Sequence, residues 1–231
     1  MNTAVFVFVG ELNDFLAREL RGRDVPLTFS EHQTVKHLIE SLGVPHVEVG
    51  SVCLDERPVE PSYRPRNGDR LEVRPAAAGC PMEPLFLLDN HLGRLAASLR
   101  MLGFDCLYDN AYTDEQLAAA LESEARILLT RDRRLLMRKV VRYGYCLRSL
   151  EPRQQLGEVV RRFELRSAAR PFSRCIRCNG LLEPVEKTAV LDQLEPKTKR
   201  YYHEFAQCRS CRQVYWRGSH WERMRKVVEA L

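Results

Sequence analysis

Two cysteine pairs carry the clearest chemistry in the chain: Cys175 and Cys178 in "FSRCIRCNGLL", Cys208 and Cys211 in "AQCRSCRQVYW". Two CxxC knuckles about thirty residues apart are the spacing of a metal site. Four thiolates close a tetrahedral Zn²⁺ shell and leave no open position, so the expected metal is structural. A segment this small buries little apolar area, and zinc would supply its folding free energy. His203 and His220 could also ligate, but four cysteines need neither. The remaining cysteines, Cys53, Cys80, Cys106 and Cys146, are scattered.

A second chemistry is written in aspartates. Asp132 ends the apolar run of "RILLTRDRRLL", Asp89 ends "LFLL", and Asp109 ends "GFDCLY". Asp114 opens "TDEQLAAALESEA". Carboxylates gathered at one place repel unless a cation neutralises them, and an all-oxygen set suits Mg²⁺ or Mn²⁺. Each acid also has a plainer use: Asp89 or Asp114 as a helix N-cap, Asp109 as the opening of the "DNAY" turn. Around Asp132, Arg131, Arg133, Arg134, Arg138, Lys139 and Arg142 could track phosphates. They could equally be the solvated face of a helix that packs Leu135, Leu136 and Val140 inward. Arg94, one turn into the helix after Asp89, is a further candidate for a phosphate contact or simply an exposed arginine. In "VYWRGSHWERM" and the residue after it, Tyr215, Trp216, His220 and Trp221 stand among Arg217, Arg223 and Arg225, where aromatics could stack on unpaired bases or pack the small module.

The elements that must position these groups fall into three segments. "AVFVFV" (4–9) and "VPLTF" (25–29) read as strands, and "TVKHLIESL" (34–42) as a helix with Val35, Leu38, Ile39 and Leu42 on one face. "GSVCLDERPV" reads as strand, turn, strand, and "NGDRLEV" as a turn entering a final strand. This predicts an α+β domain over 1–76, then a proline-bracketed linker over 77–84. Over 85–168 strands alternate with helices: "LFLL", "LGRLAASLRML", "GFDCLY", "TDEQLAAALESEA", "RILLT", "YGYCLRSL" and "PRQQLGEVVRRF". That alternation predicts right-handed βαβ units and a parallel α/β sheet. Ligands of such sheets sit beyond the carboxyl ends of the strands, where three of the aspartates fall. Residues 169–231 form the cysteine module with a C-terminal tail.

Charge is uneven along the chain. Residues 1–83 hold 9 Lys and Arg against 13 Asp and Glu; residues 84–170 hold 15 against 11, and 171–231 hold 12 against 7. A polyanionic partner would therefore meet the second half. No apolar run reaches the ~20 residues of a membrane span. "MNTAVFVFVGELNDF" has neither a basic n-region nor a small-residue cleavage site, so the expected location is the cytoplasm.

Two resemblances sharpen this. "VKHLIESLGVP" and "NGDRLEVRP" resemble the ubiquitin-like β-grasp of sulfur-carrier proteins. The chain continues through "PAAAGCPME" with neither a diglycine nor a terminus, which argues against a carrier role and for binding a protein partner or scaffolding. "LFLLDNHLGRLAASLRMLGFDCLYDN" followed by "TDEQLAAALESEARILLTRDRRL" resembles the RNase domain first named from the C-terminal part of the exonuclease Mut-seven, a PIN-like nuclease family. The cysteine tail is similar to the zinc ribbon that follows that domain, so the likeness spans about 84–225. It implies a metal-dependent ribonuclease that cleaves phosphodiesters with Asp89, Asp114 and Asp132 around Mg²⁺ or Mn²⁺. In that reading the phosphate candidates Arg94, Arg131, Arg133, Arg134 and Arg138, together with the ribbon, would hold the RNA. The further acid usual on a mid-fold helix of PIN domains has no counterpart in the compressed middle here, and Asp109 is the candidate stand-in. The competing reading is a non-catalytic RNA-binding or adaptor protein with a degenerate acidic site.

Overall fold

The computed structural model describes residues 2–219, 221–222 and 225–226; His220 and Arg223, named above, lie outside them. In β1 (Asn2–Phe8), Ala4, Phe6 and Phe8 are buried and alternate with outward-facing neighbours, the period-two pattern of a half-buried strand. β2 (Asp24–Phe29) pairs antiparallel with it. α1 (Val35–Ser41) begins where Thr34 Oγ1 accepts from His37 N at 3.3 Å, and it turns Val35, Leu38 and Ile39 inward. β3 (Val49–Leu54) and β4 (Arg57–Val59) form a hairpin closed by Asp55 and Glu56. Both turn residues have positive φ, 48° and 65°, as a two-residue turn needs to match the twist of its strands. β5 (Arg70–Pro75) returns through the middle, parallel to β1, giving the order β2-β1-β5-β3-β4. A parallel central pair and one helix after the first hairpin make this the ubiquitin-like β-grasp expected from the sequence.

From Leu85 the pattern becomes α/β. β6 (Leu85–Leu88) leads to α2 (Gly93–Met101), whose Leu95, Ala96 and Leu99 are buried. Gly93 is required at the start of α2, because a Cβ there would come within 2.7 Å of Tyr108 Oη. β7 (Asp105–Leu107) runs parallel to β6. α3 (Asp114–Ser123) buries Leu117 and leads to β8 (Ile127–Thr130), in which all four residues are buried. After α4 (Arg133–Leu136), β9 (Tyr143–Cys146) runs parallel to β8. α5 (Pro152–Arg162) starts with Pro152 in its first turn and Glu151 accepting from Arg153 N and Gln154 N. Fully buried β8, apolar up to Thr130, is what a parallel strand covered on both faces demands.

The basic stretch forms less helix than its composition allows. α4 is a single turn, and Val141 rather than Val140 joins Leu135 and Leu136 in the core. The chain must turn at once to lay β9 beside β8. Leu136 sits over Gly144, where a Cβ would meet Leu136 Cδ2 at 2.7 Å.

The last module is a three-stranded antiparallel sheet. β10 (Leu182–Val185) is followed by α6 (Lys187–Val190) and α7 (Pro196–Tyr201), then by β11 (Phe205–Cys208) and β12 (Val214–Trp216), in the order β10-β11-β12. The two short helices are absent from the sequence reading, since their charged stretch offers only Val190 and Leu194 to a core completed by Phe205 and Val214. Among the described residues no helix is long and apolar enough to cross a membrane.

Contacts divide the chain into two compact units. One runs to Ala77 and takes in Asp114–Cys146; the other is Ala78–Thr113 with everything from Leu147 onward. Within the first unit the β-grasp residues pack on the β8–β9 segment. Glu48, 2% exposed, accepts from Cys146 N at 2.6 Å, and His46 bridges Glu40 Oε1 at 2.8 Å and Val141 O at 2.9 Å. Arg133 donates to Phe15 O at 2.7 Å, with its guanidinium 5.0 Å above the Phe15 ring.

Candidate metal centres and nucleic-acid interface

The cysteine knuckles are built alike. Each CxxC is followed by a residue in the left-handed region, Asn179 at φ 71° and Arg212 at φ 60°. In each, the amide of that residue donates to the carbonyl of the first cysteine, Asn179 N to Cys175 O at 2.9 Å and Arg212 N to Cys208 O at 3.1 Å. Cys211 N also points at Cys208 Sγ, 3.5 Å away. Gly180 lets the knuckles close up, since a Cβ there would lie 2.9 Å from Cys208 Sγ. All four sulfurs lie within 4.8 Å of one another. Cys175 and Cys211 Sγ are 3.6 Å apart, and Cys178 and Cys208 Sγ 3.4 Å. Zn–S bonds of about 2.3 Å in a tetrahedron set sulfurs about 3.8 Å apart, so the cluster could hold zinc with little adjustment.

The thiols titrate as an interacting set. Burial pushes Cys175 up, but hydrogen bonds from Tyr215 Oη, the Cys178 and Arg177 amides and Cys211 outweigh it and hold Cys175 down to about 7. Desolvation pushes Cys178 up to about 12 and raises Cys211. Burial and the Cys175 thiol raise Tyr215. Tyr215 therefore serves the cluster, with its hydroxyl 3.0 Å from Cys175 Sγ.

The sequence reading missed how the first knuckle is anchored to α2 and β7. Arg100, 5% exposed, donates to Ile176 O at 3.3 Å and Arg177 O at 3.0 Å in the knuckle. It also donates to Cys106 O through Nε at 3.0 Å and Nη2 at 2.7 Å. Asn179 Oδ1 accepts from Cys106 N at 3.0 Å, and its Nδ2 donates to Asp105 Oδ1 at 3.0 Å. Arg174 completes the seam with an ion pair to Asp105 at 3.1 Å. The available signal was Arg100 itself, a charge set between Leu99 and Met101 on the buried side of α2.

Each aspartate sits at the carboxyl end of a strand or opens a helix. Asp89 directly follows β6, and its Oδ1 accepts from Asn90 N at 2.6 Å. The neighbouring Asn90 Oδ1 is buried and has no hydrogen-bond partner. Asp132 caps α4, Oδ1 accepting from Arg134 N at 2.7 Å and Leu135 N at 3.4 Å. Asp114 is the first residue of α3 and pairs with Arg138 at 3.2 Å. Both side chains are more than a third exposed, so the pair contributes well under about 1 kcal/mol. Asp109 is exposed and accepts from Ala111 N at 2.9 Å, which is the turn-opening use. Asp114 and Asp132 belong to the first compact unit, Asp89 and Asp109 to the second.

The arginines divide by what they already hold. Arg133 is spent on Phe15, and Arg138 pairs with Asp114 and Glu115. Arg94, Arg131 and Arg134 are exposed. Of the tail aromatics, Trp221 packs on Phe172 at 5.1 Å, while Trp216 stays 37% exposed.

The comparisons with known proteins agree with this architecture. Residues 1–80 match the Mut7-C ubiquitin model and residues 84–228 the Mut7-C RNAse domain model. No curated protein and no solved structure matches the chain. With an RNase-domain match running through α2, the strand-end acids and both cysteine knuckles, the chain belongs to the Mut7-C RNase domain family, with a Mut7-C ubiquitin domain before the RNase domain.

Proposed function

We propose that this protein is a metal-dependent ribonuclease that hydrolyses RNA phosphodiesters at a Mg²⁺ or Mn²⁺ site held by Asp89, Asp114 and Asp132. What supports the reading is that Asp89 directly follows β6 and Asp132 follows β8 by two residues, each just past the carboxyl end of its own parallel strand, within the stretch that matches the RNase-domain model. The unpartnered Asn90 Oδ1 beside Asp89 is a hard oxygen of the kind these ions prefer, which supports the fit. When bound, a divalent ion supplies Lewis acidity that makes attacking water more acidic and offsets charge on the phosphate. The chain's own acids hold the site and accept the released proton, and Asp109 serves as an auxiliary acid. Arg94, Arg131, Arg134 and Arg138 hold the phosphates, the exposed Arg138–Asp114 pair being weak, whereas Arg133 is already held by the Phe15 carbonyl. Zinc in the Cys175, Cys178, Cys208 and Cys211 cluster is structural. The division follows the chain: a β-grasp domain over 1–76 that offers a protein-binding surface, a nuclease domain over 85–168, and the ribbon beyond; a cytoplasmic location fits the composition.

One feature favours the second reading, an RNA-binding adaptor without activity: Asp114 and Asp132 already have protein partners. Purified protein incubated with single-stranded and structured RNA in Mn²⁺ or Mg²⁺ separates the two. Cleavage that EDTA stops and Asp89→Asn abolishes supports the nuclease. Tight RNA binding with no products at any metal concentration makes it an adaptor.

A further inference from the structure

We propose that the cleft on the zinc module binds single-stranded RNA by stacking unpaired bases on Tyr201 and Trp216. The choice of RNA as ligand rests on the ribonuclease reading; the cleft itself does not. It has a volume of about 1240 Å³ and lies between the end of α7, the strands β11 and β12, and residues Arg217, Gly218, Ser219 and Trp221. Tyr201 is 63% exposed and Trp216 37% exposed, and the module's core of Val190, Leu194, Phe205 and Val214 closes without either. Large aromatic faces left in water beside a complete core mark a binding surface. The other aromatics nearby are occupied, Tyr215 by the Cys175 thiol and Trp221 by Phe172.

The surroundings suit a sugar-phosphate chain. The Arg200 guanidinium lies 5.5 Å from the Tyr201 ring centre, and Arg177, Lys187, Lys197 and Arg217 line the cleft beside Glu183, Glu186 and Glu204, a small excess of bases over acids. Residues 171–231 carry 12 Lys and Arg against 7 Asp and Glu. Arg217 now pairs with Glu204 at 3.2 Å, but both are well exposed, and such a pair exchanges readily for a phosphate. Tyr202 supports the Trp216 ring at 6.4 Å. Gly218 keeps the indole edge clear, because a Cβ there would lie 2.8 Å from Trp216 Nε1. Flat rings beside cations, with few groups aimed at base edges, give binding that tolerates sequence.

The test is fluorescence anisotropy of a labelled oligo(U) twelve-mer with the zinc-loaded full chain in buffer free of Mg²⁺ and Mn²⁺. Tyr201→Ala and Trp216→Ala are each expected to weaken binding about tenfold and the double variant about a hundredfold, as loss of one stacked base apiece implies. Trp216→Phe should stay within about threefold of the parent, because it keeps a ring. Zinc content should remain at one per chain. Parent-level affinity in the double variant, or no binding by the parent, overturns the proposal. If Trp216→Ala sheds zinc, the highly exposed Tyr201→Ala still decides. Stacking-dependent binding in a protein that never cleaves would sink the nuclease reading and leave this one standing.

Discussion

Arg100→Met tests whether the ribbon and the nuclease-type segment are fastened through one buried guanidinium. Arg100 makes four hydrogen bonds to three carbonyls, those of Cys106, Ile176 and Arg177. Methionine fills similar space but donates nothing. The buried Cys106 carbonyl loses both of its guanidinium donors, and the two knuckle carbonyls lose charge-assisted bonds; by the cost of unsatisfied buried groups this totals about 3–5 kcal/mol. Against that, the guanidinium hydrogen-bonds only to carbonyls, so removing it recovers about 1–3 kcal/mol of desolvation. The net expectation is about 2 kcal/mol of destabilisation, a fall in Tm of about 4–8 °C for a chain of this size. Calorimetry of the zinc-loaded protein measures it. Arg100→Lys should fall between, because an ammonium keeps the charge but cannot span three carbonyls. The Ile176 and Arg177 carbonyls belong to the zinc knuckle, so coupling must be reciprocal: zinc affinity should drop by up to about tenfold in the Met variant. A variant that melts within a degree of the parent and binds zinc equally well would refute the fastening argument.

Three further expectations follow from the same geometry. Zinc affinity should fall as pH falls, because Cys178 and Cys211, both raised, must surrender protons to bind; below about 7 Cys175 adds another, so a competition titration from pH 8.5 to 6 should steepen there. Glu48→Ala removes the acceptor of the buried Cys146 amide and should cost about 1–3 kcal/mol in a urea melt, whereas Glu48→Gln, which keeps an acceptor oxygen, should cost less than half as much. Asp132→Ala should lose both RNA cleavage and about 1 kcal/mol of capping, while Asp132→Asn keeps the cap and loses cleavage alone; equal activity in the Asn variant would remove Asp132 from the proposed metal site.

What could be read from the sequence was local. The cysteine site lay in residue spacing, because a CxxC turn brings two sulfurs to one point whatever surrounds it. The β-grasp and parallel strands lay in hydrophobic period, since Phe6 and Phe8, or the unbroken Ile127–Thr130, declare one buried face or two. The aspartates were legible as strand ends for the same reason. Helices α6 and α7 were not, because four-residue and six-residue helices carry too few apolar positions to show a period.

Tertiary structure alone decided which charges are tools and which are fasteners. By composition Arg133 belonged with Arg131 and Arg134, but it reaches carbonyls 118 and 119 residues away at Phe15 and Asp14. Glu48 finds its amide 98 residues on, and Arg100 its knuckle 76 and 77 residues on. Sequence spacing encodes neighbours along a helix or strand. A buried charge is satisfied by whatever backbone the folded chain brings to it, and that partner is fixed only when the sheets and the ribbon have packed.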